Sequence, residues 1–245
     1  MKTNNRMVAV LLAAVLLGCS GTGGSRGNAD KAAEYHAQLG IGYLQRNRLG
    51  LAKEYLEKAL KRNRHSPEAQ HYYALLQERL GDPVKAGEYY RKALASDGKN
   101  PELLNNYGSF LCKQGEISQA EAVFLRATQD PLYKTPEFAY ANAGICLKKK
   151  GELTRAEDYF RKALDLSPDF PSALFHMAEL SHLQNENAKA QAFLYRYNER
   201  AGDSAESLAL CYKIHTALQE SVQAGQCANR LQARFPQSRE ARELN

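Results

Sequence analysis

Small residues recur along this chain at Gly40, Ala74, Gly108, Gly144 and Ala178, with spacings of 34, 34, 36 and 34. Twelve residues after each comes an alanine (Ala52, Ala86, Ala120, Ala156, Ala190), and four beyond it a large apolar side chain: Leu56, Tyr90, Phe124, Phe160 or Leu194. Ala59, Ala93, Ala127 and Ala163 then close four of the five copies. A beat of this length describes units that bury a hydrophobic face only by stacking on one another, and so favours a solenoid over an ordinary globular core. A degenerate sixth copy keeps the register through Tyr212, Ala224 and Leu231, and Pro236 lies two periods after Pro168.

The spacing has a direct physical reading. Each unit is a helix-turn-helix in which the small residue of the first helix lets the second approach through its own alanine. The large residue then fills the space left between repeats. Gly81, Gly115 and Gly151 fall at the turn between the two helices, where a residue without a β-carbon is easily accommodated. Pro67, Pro101, Pro136 and Pro171 open later first helices, where a missing N–H costs nothing. These are the features of tetratricopeptide repeats. The expected fold is all-α, a right-handed superhelical solenoid of six repeats over residues 33–66, 67–100, 101–136, 137–170, 171–204 and 205–238, with a charged tail over 239–245. The two extra residues between the third and fourth repeats fall in the stretch from Asp130 to Pro136, where the solenoid is expected to bend or widen. Its concave face, built mainly from the first helices, is the default binding groove.

Ahead of the repeats, Lys2 and Arg6 precede an apolar run from Met7 to Leu17. The run is too short for a transmembrane helix, which needs about 20 residues, and reads as a secretory signal over 1–18. Leu16-Leu17-Gly18-Cys19 resembles the bacterial lipoprotein lipobox; the alternative is an ordinary signal peptide that happens to contain a cysteine. The resemblance implies lipidation of Cys19, and Ser20 after it implies delivery to the outer membrane, facing the periplasm. Residues 19–29, rich in glycine and serine, read as a flexible leash. The formal charge of +6 includes two cations of the signal, so the remaining chain carries 31 basic against 27 acidic residues. That balance is a poor argument for nucleic acid, and the clusters Lys61–Arg64 and Lys148–Lys150 sit near helix ends, where cations complement the helix dipole. No phosphate-binding glycine loop, HExxH motif or nucleophile elbow occurs, so neither an enzyme, a cofactor nor a small-molecule substrate is expected.

Carrying the repeat register along the first helices nominates groove residues: Ile41 and Leu44, His71 and Leu75, Asn105, Asn106 and Ser109, Phe138, Asn142, Ile145 and Lys149, then Phe175 and His176. The mixture of apolar and amide groups suits a protein segment, whose backbone Asn106 and Asn142 are placed to clamp one repeat apart. The alternative is that these asparagines satisfy backbone groups within the stack. The fifth position of successive repeats reads Ala37, His71, Asn105 and Ala141, which lacks the basic clamp of chaperone-tail receptors. Cys112 and Cys146 lie near the ends of consecutive first helices, and Cys211 and Cys227 on the two helices of the sixth unit. Both pairs are candidate disulfides in an oxidising compartment, or else buried cysteines packed as small apolar residues. Cys211, His215 and Cys227 as a zinc site lack a fourth ligand, so no metal is expected.

The segment Asn105-Asn106-Tyr107-Gly108-Ser109-Phe110-Leu111-Cys112, followed by Gly115, Ala120-Glu121, Phe124, Pro131 and Tyr133, and then Asn142-Ala143-Gly144-Ile145-Cys146, resembles the type IV pilus biogenesis pilotins of the PilF/PilW type. So do Gly151, Ala156-Glu157 and Tyr159-Phe160-Arg161. The resemblance runs from the lipobox to the last repeat. It implies an outer-membrane lipoprotein that helps the pilus secretin reach that membrane and form its multimeric ring, with the secretin subunit as protein partner. A general periplasmic scaffold for envelope or cell-wall assembly proteins, and a purely structural lipoprotein, are the other readings.

Overall fold

The structure is a computed structural model that describes residues 23–244, with side chains from Gly27 onward. The signal, the lipobox and Cys19 lie outside the described residues. Within them the chain is a run of paired helices: α1 (Gly23–Gln45) with α2 (Leu49–Arg62), α3 (Pro67–Arg79) with α4 (Pro83–Ser96), and α5 (Pro101–Lys113) with α6 (Ile117–Ala127). The pairs α7 (Pro136–Lys150) with α8 (Leu153–Leu166), α9 (Pro171–Leu183) with α10 (Asn187–Ala201), and α11 (Ala205–Ala217) with α12 (Ser221–Arg234) complete six units. Each first helix also touches the first helix of the next unit, which makes a continuous inner wall.

The turn between the paired helices is made the same way six times. A residue with positive φ stands at Asn47, Gly81, Gly115, Gly151, Asn185 and Gln219, with φ between 56° and 84°, and these positions repeat the spacing of 34, 34, 36, 34 and 34. Glycine and asparagine enter the left-handed region at low cost. Gln219 does so without that advantage, yet it fixes the register of the degenerate sixth unit. Capping agrees: Ser66 and Asn100 accept N–H bonds from Ala69 and Leu103 at 3.2 and 3.0 Å, each just before the proline that opens its first helix.

Small residues of the first helices do more than accommodate the second. A β-carbon on Gly108 would lie 2.7 Å from the Phe124 ring, and one on Gly144 the same distance from Phe160. These contacts leave no room for a side chain. The aromatic rings, with Leu56 and Tyr90 at the equivalent places, are fully buried, and the core runs without a break from Ala74 to Leu180.

The connection between the third and fourth repeats is held rather than loose. Asp130 accepts the Leu132 N–H through its carboxylate at 2.8 Å and the Tyr133 N–H through its carbonyl at 3.1 Å, and Tyr133 turns inward into the main core. The extra length opens a cleft of about 520 Å³ lined by Leu104, Arg126 and Pro131 among others.

Two boundaries differ from the sequence reading. The first helix begins at Gly23, inside the stretch read as a leash, because the polar sequence up to Asp30 continues the turn that Ala33 and Ala37 anchor in the core. The charged tail folds as α13 (Arg239–Glu243), capped by Ser238, whose hydroxyl accepts the Ala241 N–H at 3.1 Å. Ala241 is buried with Ala205, Leu208 and Leu231, so α13 covers the end of the stack. No helix of the described residues is long and apolar enough to cross a membrane.

Candidate functional site: the inner wall of first helices

Four first helices, α3, α5, α7 and α9, place their polar side chains in register, and the result is a ladder of contacts between units. The Asn106 amide nitrogen lies 3.0 Å from His71 Nε2, and the Asn142 amide donates to Asn105 Oδ1, also at 3.0 Å. Each rung joins the fifth position of one repeat to the sixth of the next. The rung is missing between the fourth and fifth repeats because Ala141 takes the fifth position there. His176 turns instead to Glu179, with Nδ1 2.6 Å from Oε2, and stacks on Phe160 with ring centroids 5.3 Å apart. Lys148 reaches across from α7 to pair with Glu179. Burial pushes the Glu179 carboxyl up, but His176 and Lys148 outweigh it and hold it below its ordinary value.

At the other end of the wall, Tyr72 donates to Glu68 at 3.1 Å, and Gln38 of the first repeat donates to the same carboxylate. Burial raises the Glu68 carboxyl and pushes the Tyr72 hydroxyl up to about 12.

His71 is buried, and loss of solvent lowers its pKa from 6.5 to about 4. An amide nitrogen only donates, so His71 Nε2 accepts from Asn106 and the ring is neutral, in keeping with that shift. The linkage has a definite sign. Above pH 6.5 both folded and unfolded imidazoles are neutral and the full stability is present. Between 6.5 and about 4 the unfolded chain takes up a proton that folded His71 refuses, so stability falls as pH falls, and below about 4 this loss is complete. The shift corresponds to about 3 kcal/mol. Urea melts at pH 7 and pH 4.5 are expected to separate more for the wild type than for His71→Gln; equal separations would contradict the buried neutral imidazole.

The structure distributes the nominated residues unevenly. Ile41, Leu75, Asn105, Asn106, Ser109, Asn142, Ile145, Phe175 and His176 are half-buried along the first helices. Ser109 spends its hydroxyl on the Asn105 carbonyl of its own helix at 3.0 Å. Phe138 is exposed and meets Phe170 edge-on, with ring centroids 4.7 Å apart. Each of the asparagines spends one amide group on a neighbouring side chain.

Leu44 is not a groove residue: it is buried with Ala52, Leu56 and Leu76. The twelfth position of the repeat points at the seam with the next first helix. Glu78, at that position, pairs with Lys113 at 2.9 Å, and Lys148 with Glu179. Lys149 is accordingly exposed, and it is Lys148 that makes the contact between units. Cys112 also stands at the seam, bridged to Cys146 with their Cα atoms 5.7 Å apart. Cys211 and Cys227 are bridged across α11 and α12, Cα atoms 6.0 Å apart.

The tetratricopeptide repeat family matches residues 37–101 and 108–171, and a second form of it matches 79–134 and 147–214. The type IV pilus assembly protein PilF of Pseudomonas aeruginosa is 33% identical over 239 residues, which is 96% of this chain and 95% of that protein. The chain belongs to the PilF/PilW family of tetratricopeptide repeat proteins. The solved structure of Pseudomonas aeruginosa PilF superposes with a TM-score of 0.79 at 33% identity, over 89% of this chain and 98% of that one. That of PilW, a widely conserved type IV pilus biogenesis factor, gives 0.80 at 32% identity, over 86% and 97%. The likeness spans the six repeats, including the degenerate one, so the inner wall is a feature of this chain within a shared family scaffold.

Proposed function

We propose that this chain acts in type IV pilus biogenesis as an outer-membrane lipoprotein, a pilotin that supports the outer-membrane localisation and multimerisation of the pilus secretin by binding the secretin subunit. The observation that carries the reading is the similarity to PilF along nearly the whole length of both chains. The lipobox-like run ending in Cys19 supports the anchor. The inner wall supports binding: Ile41, Leu75, Ile145 and Phe175 supply apolar contact, while Asn105, Asn106 and Asn142 are cross-linked to one another or to His71 and present a stiff polar strip. Such a pre-ordered surface loses little entropy on receiving an extended or helical segment.

The test is deletion of the gene followed by blotting of unheated, detergent-solubilised envelope for the secretin, fraction by fraction. Loss of the heat-resistant multimer from the outer membrane is expected, with recovery on return of the intact gene. Cys19→Ala is expected to leave the repeats folded, to move the protein out of outer-membrane fractions and to fail in restoring the multimer. A secretin ring unchanged by deletion would overturn the pilotin reading in favour of a general envelope scaffold, and Cys19→Ala protein still found in the outer membrane would overturn the lipid anchor.

A further inference from the structure

We propose that Cys211, His215 and Cys227, when the two cysteines are reduced, form a binding site for a divalent ion of the zinc class. Their ligand atoms lie within 4.8 Å of one another, the one such group of three His, Cys or carboxylate side chains among the described residues. Cys211 and His215 are four apart on α11 and share a face; Cys227 comes from the facing helix α12. The site is partly closed, with Cys227 buried and Cys211 and His215 half-buried.

What the sequence lacked was any sign that His215 is prepared for the role. Its Nδ1 lies 2.5 Å from Glu220 Oε2, and the Glu220 N–H donates to the His215 carbonyl at 2.9 Å. Glu220 stands at the start of α12 but makes no side-chain cap there; its Oε2 faces the imidazole and also accepts from the Gln191 amide at 3.5 Å. With Nδ1 held, Nε2 is the free nitrogen. Carboxylates placed in this way behind a ligating histidine fix its tautomer and orientation. Two thiolates balance the charge of a divalent ion, and a donor set of two sulfurs and one nitrogen selects zinc over calcium or magnesium. Three protein ligands leave a fourth position for water or for a side chain of a bound partner, the pattern of open rather than closed zinc sites.

In the structure the two sulfurs are bonded to each other, so the bridge and the ion are alternative states of the same residues. Conversion needs a two-electron reductant; a dithiol is the thiol–disulfide case, and a phosphine does the same while leaving as its oxide with oxygen from water. With a dithiol, one thiolate attacks a sulfur of the bridge, the second resolves the mixed disulfide, and two electrons pass to the protein as the dithiol leaves as its own disulfide. The two thiols then release two protons on binding the ion.

The test uses full-length protein in detergent, reduced with a phosphine under argon and titrated with Co²⁺, whose thiolate charge-transfer absorption reports sulfur ligation, and then with Zn²⁺ in competition. Reduced wild type is expected to bind one equivalent, and the oxidised protein none at the same concentrations. His215→Gln is expected to weaken binding at least about tenfold, and Glu220→Gln by roughly 10- to 100-fold. Cys112→Ala/Cys146→Ala is expected to leave it unchanged, and far-UV circular dichroism checks that each variant is folded. Failure of reduced wild type to bind, equal binding by oxidised protein, indifference to both His215→Gln and Glu220→Gln, or a signal that disappears with Cys112 and Cys146 would overturn the site.

Discussion

Phe160→Ala is expected to lower the stability of the solenoid by about 3–5 kcal/mol, the range for removing a fully buried aromatic ring. The ring is 0% exposed and lies so close over Gly144 that a β-carbon there would stand 2.7 Å from it. The ring also stacks on His176 of the next unit. Removing it therefore strips contacts within the fourth repeat and between the fourth and fifth. Gly144, which lies against the ring, has no side chain to extend into the cavity. Urea denaturation followed by circular dichroism measures the effect as a fall in midpoint. A loss under about 1 kcal/mol would mean that the helices close over the gap and that Gly144 is not a forced choice.

The Cys112–Cys146 bridge is expected to contribute about 3–4 kcal/mol. The two cysteines are 34 residues apart, and closing a loop of that size removes this much free energy from the unfolded chain in the entropy model. Cys112→Ala/Cys146→Ala, compared with oxidised wild type in urea, measures it. Alanine is chosen over serine because Cys146 is fully buried and a hydroxyl there would add a second penalty. Phosphine treatment of the wild type, which also opens the Cys211–Cys227 bridge, is expected to lower its midpoint at least as far as that of the double variant. If reduction and replacement both leave the midpoint in place, the two thiols are no more than packed side chains.

The six units and the three glycine turns were legible because stacking imposes one period on every position that meets the neighbouring unit, while the turns at Asn47 and Asn185 carried no glycine to mark them. Even the third non-glycine turn, at Gln219, falls on that period. Contacts between neighbouring first helices were harder to read, since their partners are offset from the period. Lys148 meets Glu179 at a separation of 31, Asn106 meets His71 at 35, and Asn142 meets Asn105 at 37. Complementary pairs sought at those offsets would have selected Lys148 over Lys149 and put Leu44 at the seam. The ends were illegible for another reason: α13 has no periodic partner in the chain, and only the burial of Ala241 reveals that its charged sequence has an inner face.

The core is divided in a way that bears on how the molecule yields under load. One unbroken cluster joins the second to the fifth repeats, while the first repeat and the end covered by α13 rest on small clusters of their own. In a stack where each unit touches only its neighbours, the end units are held from one side alone, and local opening starts there. Amide exchange should therefore be slowest in α5 to α8 and faster towards both ends. Such a stack works as a stiff ruler with compliant tips, its middle holding the rungs at a fixed pitch while the end units give first.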